Sequence, residues 1–167
     1  MILMFNEVQE FKNNNLTQKY SDDLGYDVRA GESGVVYPGC SSGFIYTGLH
    51  IHIPNIMGAT LETRSNQIEQ NVMTDGTIDS GYHGAVGLKL YNFDNARAYE
   101  WEKGDRIAQM VFHVRPEGLL NMLHESFYQE HMGWMPEVFN FTIKEKDISK
   151  WPKTERARNG FGSTGVR

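Results

Sequence analysis

One carboxylate in this chain stands in a glycine-rich run that could fold into a tight pocket. Asp79 follows the apolar Ile78 within Gly76–Gly84, which contains three glycines and places Tyr82 three residues after the carboxylate. Glycines tolerate positive φ angles and close backbone approach, which a tight hairpin or a ligand pocket requires. A stiff turn would therefore hold this carboxylate in one place. The same residue types also suit an ordinary hairpin turn, so the run alone leaves both interpretations open.

A second group of residues could bind an anion. Arg64 and Ser65 precede Gln67–Met73, which has few β-branched residues and no Gly or Pro. We predict a short helix there that begins at Ser65 or Asn66, since both are good N-caps. An arginine and a hydroxyl beside the free N–H groups of a helix N-terminus make an anion-binding arrangement. Serine before a helix is common, so this signal is weak by itself.

Two histidines and one cysteine have simpler explanations. His50 and His52 alternate on one face of a predicted strand, but no third ligand is near in sequence, so a structural role is favoured over a metal site. Cys40 lies in a turn after Pro38 and Gly39 and is the single cysteine. It excludes an intrachain disulfide and fits a reducing compartment.

Length and charge exclude several classes of function. A chain of 167 residues with 40% hydrophobic and 22% charged residues is typical of one globular domain with a real core. The net charge of −5 argues against binding nucleic acid, although a few convergent cations could still hold a small anion. The apolar start Met1–Phe5 is too short and uncharged for a signal peptide, and no apolar run approaches membrane-spanning length.

The first two-thirds of the chain reads as short strands with little helix between them. Regular strand spacing of this kind predicts an all-β barrel or sandwich. The predicted strands lie within Met1–Phe11, Tyr26–Ala30, Phe44–Arg64, Ala85–Asn92 and Ile107–Val114. Phe44–Arg64 reads as two or three strands, at Phe44–Tyr46, Leu49–Ile53 and, after a Pro54-Asn55 turn, Ala59–Thr63. Ala85–Asn92 is predicted as the return strand of a hairpin that contains Asp79.

The last third has a different pattern. Apolar residues at helical spacing predict an amphipathic helix over Glu117–His131, and Val138–Ile143 is predicted as a strand or extended arm. The tail Lys153–Gly165 is glycine-rich without apolar periodicity, which indicates a mobile segment. It is similar to a phosphate cradle but lacks the lysine of a P-loop.

Five separated stretches together resemble the homotrimeric dUTP diphosphatases (dUTPases), in the family's order. The five stretches are Gly25–Val28, Arg64–Ser65, Gly76–Gly84, Gly104–Gln109, and Arg156 followed by Gly160–Gly165. The resemblance implies a jelly-roll-like all-β fold with one short helix after Arg64-Ser65, three active sites at subunit interfaces, and dUTP hydrolysis to dUMP and pyrophosphate. It divides the chain into a core (1–115), an inserted segment with a helical pattern (116–150) and an arm (151–167) that closes a neighbouring subunit's site.

The resemblance also gives the motif residues their roles. Asp79 would be the general base that deprotonates a water for attack on the α-phosphorus. Tyr82 would pack under the deoxyribose, where a 2′-hydroxyl would collide, and Asp27 would reach a phosphate-held Mg²⁺ through water. The remaining expected contacts are the uracil-reading segment with Asn71, Gly76 and Ile78, the phosphate contacts Arg64, Ser65 and Gln109, and the arm residues Arg156, Phe161, Gly162, Ser163 and Thr164.

Several positions depart from the family's pattern. Thr63 and Asn66 replace the usual Pro and Gly around Arg64-Ser65, Met73 lies where a base-contacting Asn is often found, and the span from Arg64 to Asp79 is shortened. The longer segment 116–150 is similar to the extra segment of some bacteriophage dUTPases. This predicts a phage source and a cytoplasmic location, which would be the host cytoplasm.

Two alternatives stay open. The chain is also similar to dCTP deaminase, which shares the fold. Deamination looks to need a Glu on the return strand, where this chain has Lys89. A regulatory protein could bind a host or phage partner through 117–143, in addition to hydrolysis. The competing interpretation is that the apolar stripe of Leu119, Leu123 and Phe127 packs on the core. We expect no direct binding to nucleic acid or membranes.

Overall fold

The computed structural model describes residues 7–10, 16–20, 22–53, 56–115 and 142–145, with 7–10 and 142–145 described by backbone alone. These residues are mostly strands. In chain order the elements are β1 (Glu7–Glu10), β2 (Gly25–Arg29), β3 (Gly34–Val36), β4 (Ile45–His52), β5 (Met57–Glu62), α1 (Ser65–Ile68), β6 (Val72–Met73), β7 (Asp75–Ile78), β8 (Ala85–Leu88), β9 (Tyr91–Asn92), β10 (Tyr99–Trp101), β11 (Arg106–Val114) and β12 (Thr142–Glu145).

Two four-stranded sheets form the body of the described structure. One has the order β12-β1-β4-β8, and the other has the order β2-β11-β5-β7. Two short ribbons, β3 with β10 and β6 with β9, lie beside them. Within the second sheet all neighbouring strands are antiparallel, and among the described strands only β1 and β12 pair in parallel.

Alternation of apolar and polar residues explains why the two sheets share one core. Strand β5 buries every second residue, as a strand with one face on a core should. Strand β4 does the same along its whole length, and both strands send their apolar side chains into a single cluster. Burying a Leu or Ile side chain contributes about 1.5–3 kcal/mol. The fully buried members include Leu49, Ile51, Ile107 and Met110.

The sequence predicts two or three strands between Phe44 and Arg64, and the structure has two, because Phe44–Tyr46 and Leu49–Ile53 are not separate. They form one strand, β4, whose register against β8 shifts between Tyr46 and His50. Gly48 has φ +76° at this bulge, and the buried Thr47 hydroxyl donates to the Val86 carbonyl at 2.7 Å. Burial alternates along the whole of β4, but the buried position between Ile45 and Leu49 holds the polar Thr47, so the apolar pattern of the sequence looks like two short strands.

The helix prediction is correct in its start and wrong in its length and cap. Helix α1 begins at Ser65, its N-cap is Arg64, and it ends at Ile68. Asn71 then adopts φ +57°, a left-handed conformation that Asn tolerates and that turns the chain into β6. Residues 72–73 are therefore a strand, because Val72 is buried against the core and pairs with Asn92 of β9.

The predicted hairpin around Asp79 closes only at its base. Strands β6 and β9 pair with each other, but β7 then pairs with β5 of one sheet and β8 with β4 of the other. The prediction that Ala85–Asn92 is the return strand of this hairpin is thus wrong for Ala85–Leu88. Burial decides this outcome, since Ile78 and Val86 are both taken into the common core from opposite sheets.

Several predictions concern residues outside those described. They are the helix over Glu117–His131, the Pro54-Asn55 turn and the arm 151–167. The predicted strand at Val138–Ile143 overlaps β12. Among the described residues, none of the helices has the length and apolar character needed to cross a membrane.

Candidate active site

An open cleft of about 260 Å³ lies at the end of the second sheet where β2, β11 and α1 meet. It gathers four residues from three of the sequence motifs, namely Asp27, Arg64, Ser65 and Gln109. The other residues that line it are Lys19, Tyr20, Asp23, Leu24, Gly25 and Arg106. Separate motifs meet here because β11 pairs with β2 and β5, with Gln109 opposite both Asp27 and Glu62.

Asp27 binds two arginines at the floor of the cleft. Arg64 Nε donates to Asp27 Oδ1 at 2.9 Å, and Arg106 Nη1 donates to Asp27 Oδ2 at 3.2 Å. The Asp27 and Arg64 side chains are 15% and 20% exposed, so water screens this pair less than it would an open surface pair. One carboxylate therefore holds two guanidinium groups toward the same space. The three cations that line the cleft outnumber its two carboxylates, so the cleft has a net positive charge.

Gln67 fixes helix α1 onto β11. Its side-chain oxygen accepts the Arg64 N–H at 3.1 Å, and its Nε2 donates to the Ile107 carbonyl at 2.9 Å. Gln67 is fully buried, so these two contacts satisfy a polar group that would otherwise be costly to bury. The first turn of a helix has N–H groups without intrahelical acceptors, and here that turn begins at Ser65 on the rim of the cleft.

The Gln109 side chain lies against the backbone of Gly25. Gln109 Nε2 donates to the Thr63 carbonyl at 3.1 Å. A Cβ at Gly25 would lie 2.7 Å from Gln109 Oε1, closer than real Cβ atoms approach. The first glycine of the motif at Gly25–Val28 therefore leaves the space that the Gln109 side chain occupies.

The segment before β2 also belongs to the site, although no residue pattern predicts it. Thr17 bridges Asp27, which donates its N–H to the Thr17 carbonyl at 2.7 Å, so residues 16–20 lie beside the cleft. Asp23 Oδ2 accepts the N–H groups of Lys19 and Tyr20 at 3.2 and 3.0 Å. The Lys19 ammonium lies 4.9 Å from the Tyr20 ring centroid. A Lys-Tyr pair followed by two aspartates is an unspecific pattern, and only the bridge to Asp27 assigns it to the site.

Asp79 lies at the end of β7 in a turn that faces solvent. The Tyr82 N–H donates to the Asp79 carbonyl at 3.2 Å, and Gly81 has φ +79°, as the third residue of a type II turn requires. The Gly81 N–H points to the Ile53 carbonyl at 3.4 Å, at the end of β4. Of the three glycines in Gly76–Gly84, Gly81 is the one that needs a positive φ.

The Tyr82 ring is held in place by a hydrogen bond from its hydroxyl and fits because Gly84 has no side chain. The phenol donates to the Ala85 carbonyl at 2.9 Å, and the side chain packs on the core. A Cβ at Gly84 would lie 2.2 Å from the Tyr82 hydroxyl oxygen, so this glycine provides space for the ring. Ile78 is 7% exposed and points into the core, which leaves only its backbone available to a ligand.

The strands β7 and β8 leave a slot between them. They diverge beyond the β6–β9 ribbon, where the Thr74 hydroxyl donates to the Lys89 carbonyl at 2.8 Å. Each is the edge strand of its described sheet, so each presents a row of backbone N–H and C=O groups on its outer edge. Gly76 lies in β7, and the exposed Asn71 and Met73 lie before it.

Within one chain, Asp79 and the cleft lie at opposite corners of the same sheet. Asp27, Gln109, Glu62 and Asp75 form one row across it, whereas Asp79 follows Ile78, whose row contains Ala59 and Phe112. Asp79 lies three strands across the sheet and four residues along the strands from Asp27. With about 4.8 Å between strands and about 3.3 Å per residue, the two residues are roughly 20 Å apart. One chain therefore does not bring its Asp79 and its cleft to the same phosphate group.

The two histidines of β4 contact the loop that follows Asp79. His52 Nδ1 lies 2.7 Å from His83 Nε2, and His50 Nδ1 lies 3.4 Å from the His83 carbonyl oxygen. His83 is 8% exposed, and burial lowers its pKa. Both histidines thus contact the loop after Asp79, and their structural role stays a prediction.

Five expected site residues lie outside the part of the chain that is described, namely Arg156, Phe161, Gly162, Ser163 and Thr164. The described expected residues fall into two groups. Asp27, Arg64, Ser65 and Gln109 line the cleft, whereas Asn71, Gly76, Ile78, Asp79 and Tyr82 belong to the segment at the other side of the sheet.

Comparisons with known proteins identify the family. The dUTPase family model matches residues 12–131. The deoxyuridine 5'-triphosphate nucleotidohydrolase of Alkaliphilus metalliredigens is 30% identical over 152 residues, which cover 89% of this chain and 87% of that protein. The chain belongs to the dUTPase family.

Solved structures support the same fold. The dUTPase of phage phi11 of S. aureus has a TM-score of 0.59 at 23% identity, covering 65% of this chain and 90% of that one, and was described with a structural Mg(II) ion. The Staphylococcus bacteriophage 80alpha dUTPase with dUpNHpp has a TM-score of 0.59 at 24% identity and the same coverage. The all-β architecture of the described residues is thus the dUTPase jelly roll, as the sequence predicted.

Proposed function

We propose that this enzyme hydrolyses dUTP to dUMP and pyrophosphate, with Asp79 as the general base and the Asp27 cleft as the triphosphate site. The observation that carries the proposal is the cleft itself. Three motifs far apart in sequence supply it with Asp27, Arg64, Ser65 and Gln109, and Asp27 orients two arginines toward it. Guanidinium groups suit phosphate oxygens because they donate hydrogen bonds in a planar fork.

The reaction follows from these groups. A water gives a proton to the Asp79 carboxylate as its oxygen bonds to the α-phosphorus. The bond from that phosphorus to the bridging oxygen breaks, and pyrophosphate leaves with the bond's electron pair. Arg64, Arg106 and Lys19 offset the negative charge on the phosphate oxygens, which is the main contribution a protein makes to phosphoryl transfer. Ser65 and Gln109 add neutral donors.

We propose that each site takes its base from one chain and its cleft from another. A shared site is supported by the separation of Asp79 from Asp27 within one chain, which the strand and residue spacings put at roughly 20 Å. A general base must lie within about 3 Å of the water that it deprotonates. A homotrimer with three sites at its subunit interfaces meets this requirement, and residues 151–167 would close a neighbouring subunit's site.

The slot between β7 and β8 supports recognition of uracil by backbone groups. Two edge strands that separate from one ribbon present alternating N–H and C=O groups, the complement of an imide edge. The Thr74–Lys89 hydrogen bond closes the slot at one end. Tyr82, fixed by the Ala85 carbonyl, would pack under the deoxyribose and exclude a 2′-hydroxyl.

Mg²⁺ fits this site when the triphosphate holds it. Both oxygens of Asp27 accept an arginine hydrogen bond, but each carboxylate oxygen can accept a second one, so contact with the ion through water is available. The bound ion would neutralise phosphate charge. The phage source and the cytoplasmic location remain predictions. The partner surface at 117–143 also remains a prediction, since the structure describes only residues 142–143 of that segment, and these by backbone alone.

The Asp79→Asn variant tests the proposed base. Loss of a general base costs about 10²–10⁴-fold in rate, so pyrophosphate release should fall by that amount. Binding of dUpNHpp by calorimetry should stay within about threefold of the parent, because the variant leaves the cleft unchanged and threefold is well under 1 kcal/mol. Loss of nucleotide binding together with activity would instead make Asp79 a structural residue.

A panel of nucleoside triphosphates separates the proposed reaction from deamination. With Mg²⁺, dUTP should release pyrophosphate faster than dCTP, dTTP or UTP. Ammonia release from dCTP would favour the deaminase alternative. The exposed Lys89, at the position where that alternative needs a Glu, argues against it.

A further inference from the structure

The turn that carries Asp79 is held by three different strands. Its first contact is to β4, where the Gly81 N–H points to the Ile53 carbonyl at 3.4 Å. Its second is to β8, where the Tyr82 hydroxyl donates to the Ala85 carbonyl at 2.9 Å. The third comes from the end of β11, where Arg115 Nη1 donates to Ser80 Oγ at 2.7 Å. The last contact is the shortest and is made to the residue next to Asp79.

The position of Arg115 is itself fixed. Its N–H donates to the Ile56 carbonyl at 2.7 Å, directly after β11 ends at Val114. The guanidinium therefore starts from a backbone held to the sheet and reaches a residue 35 positions away in sequence. A hydrogen bond from a charged donor is shorter and roughly twice as strong as one between neutral groups. The contact thus restrains a turn that otherwise faces solvent.

We propose that Arg115 is a positioning residue for hydrolysis, which acts through Ser80 to hold the Asp79 carboxylate in its reactive place. This rests on the proposed role of Asp79 as the base. Ser80 occupies the second position of the type II turn, so a rotation there moves the carboxylate directly. Arg115 lies outside all five sequence motifs and lines no part of the cleft.

The proposal predicts a change in turnover rather than in binding. Arg115→Gln should lower kcat for dUTP about tenfold or more, since a misplacement of about 1 Å can cost about 10²-fold. KM and the affinity for dUpNHpp should change less than about threefold, because the cleft is untouched and threefold is under 1 kcal/mol. Arg115→Lys should recover part of the rate if its ammonium reaches Ser80.

A double-mutant cycle tests the route through Ser80. Ser80→Ala should lower kcat to a similar extent, and the double variant should be no slower than the slower single variant. Arg97→Gln is the matched control, since Arg97 is an exposed arginine bonded to Asp94 away from the turn. All variants should keep the parent's melting temperature within about 2 °C, as expected of changes at exposed residues.

The outcomes separate this inference from the proposed function. If Asp79→Asn is inactive while Arg115→Gln keeps kcat within twofold, the positioning role is overturned and the proposed base stands. If Arg115→Gln and Ser80→Ala add fully, the contact between them does not carry the effect. If Asp79→Asn keeps full turnover, the proposed base is wrong and Arg115 has no carboxylate to position.

Discussion

Asp27 shows how one residue can serve two purposes in this site. Its two carboxylate oxygens accept hydrogen bonds from Arg64 and Arg106, at 2.9 and 3.2 Å. Removing one partner from a largely buried ion pair is costly because the other charge is then poorly solvated. The carboxylate therefore fixes the spacing of two arginines, which under the proposed function bind phosphate, in addition to the water-mediated Mg²⁺ contact that the resemblance to dUTPases implies.

Gly25→Ala should weaken binding of the triphosphate without unfolding the protein. The new Cβ would meet Gln109 Oε1 at 2.7 Å, and a flexible side chain can move away from such a contact. A displaced Gln109 would lose its proposed phosphate contact, so KM for dUTP should rise about tenfold, the equivalent of one hydrogen bond to a charged group. Steady-state kinetics measure this change.

Gly43→Ala is the control for this substitution. A Cβ at Gly43 has no neighbour within 4 Å and its φ is not positive, so KM should stay at the parent value. An unchanged KM in Gly25→Ala as well would show that Gln109 does not need its observed position.

At the scale of elements, the loop from Asp79 to Gly84 joins two sheets. Strand β7 belongs to one sheet and β8 to the other, and His83 within the loop contacts both histidines of β4. One proton lies between His52 Nδ1 and His83 Nε2 in a hydrogen bond of 2.7 Å. Protonating both rings would bring two N–H groups together, so this contact requires that at least one of the two rings stays neutral.

Stability should therefore fall as the pH drops below about 6.5. Burial lowers the His83 pKa below its ordinary value of 6.5, so the unfolded chain takes up a proton before the folded protein does. The contribution of His83 to the free energy of unfolding is fully present above pH 6.5 and is lost as the pH falls below it. The loss levels off once His83 titrates in the folded state. Urea unfolding at pH 7.5 and 5.5 measures it.

His83→Gln should reduce this pH dependence. The exposed His113, which contacts the Thr60 hydroxyl, provides the control variant His113→Gln, and that variant should keep the parent's dependence. An equal pH dependence in the parent and in His83→Gln would assign it to other groups.

At the scale of the whole molecule, the two halves of the proposed site face away from each other. The cleft lies at one corner of the β2-β11-β5-β7 sheet, and Asp79 lies at the opposite corner. A symmetric assembly can bring the corner of one chain to the opposite corner of the next, which closes a ring. The location of Asp79 thus makes assembly a condition for catalysis under the proposed function.

Mixed oligomers test this condition. Asp79→Asn and Arg64→Gln should each be inactive alone, but refolding them together should restore activity to about one quarter of the sites in a random mixture of symmetric oligomers. Those sites combine an intact Asp79 from one chain with an intact cleft from another. If both groups came from the same chain, every site would carry one substitution and the mixture would stay inactive, as would either variant refolded with itself.

Local chemistry explains what the sequence could predict. Apolar alternation in β2 and β5 identifies strands, and the start of α1 at Ser65 follows from the residues around it. The residue types at Asp27, Arg64, Ser65 and Gln109 are the ones that a phosphate site needs, and the structure brings these four together. Motif order along the chain was sufficient to indicate the family and its all-β fold.

Long-range strand pairing decided those features of the fold and the site that the sequence did not predict. The bulge at Gly48 joins two predicted strands into one, the separation of β7 from β8 opens the predicted hairpin, and the bridge from Thr17 to Asp27 brings Lys19 to the cleft. The contact of Arg115 with Ser80 joins residues 35 positions apart. Such contacts depend on which sheet buries which strand, a free-energy balance over the whole core that no local residue pattern contains.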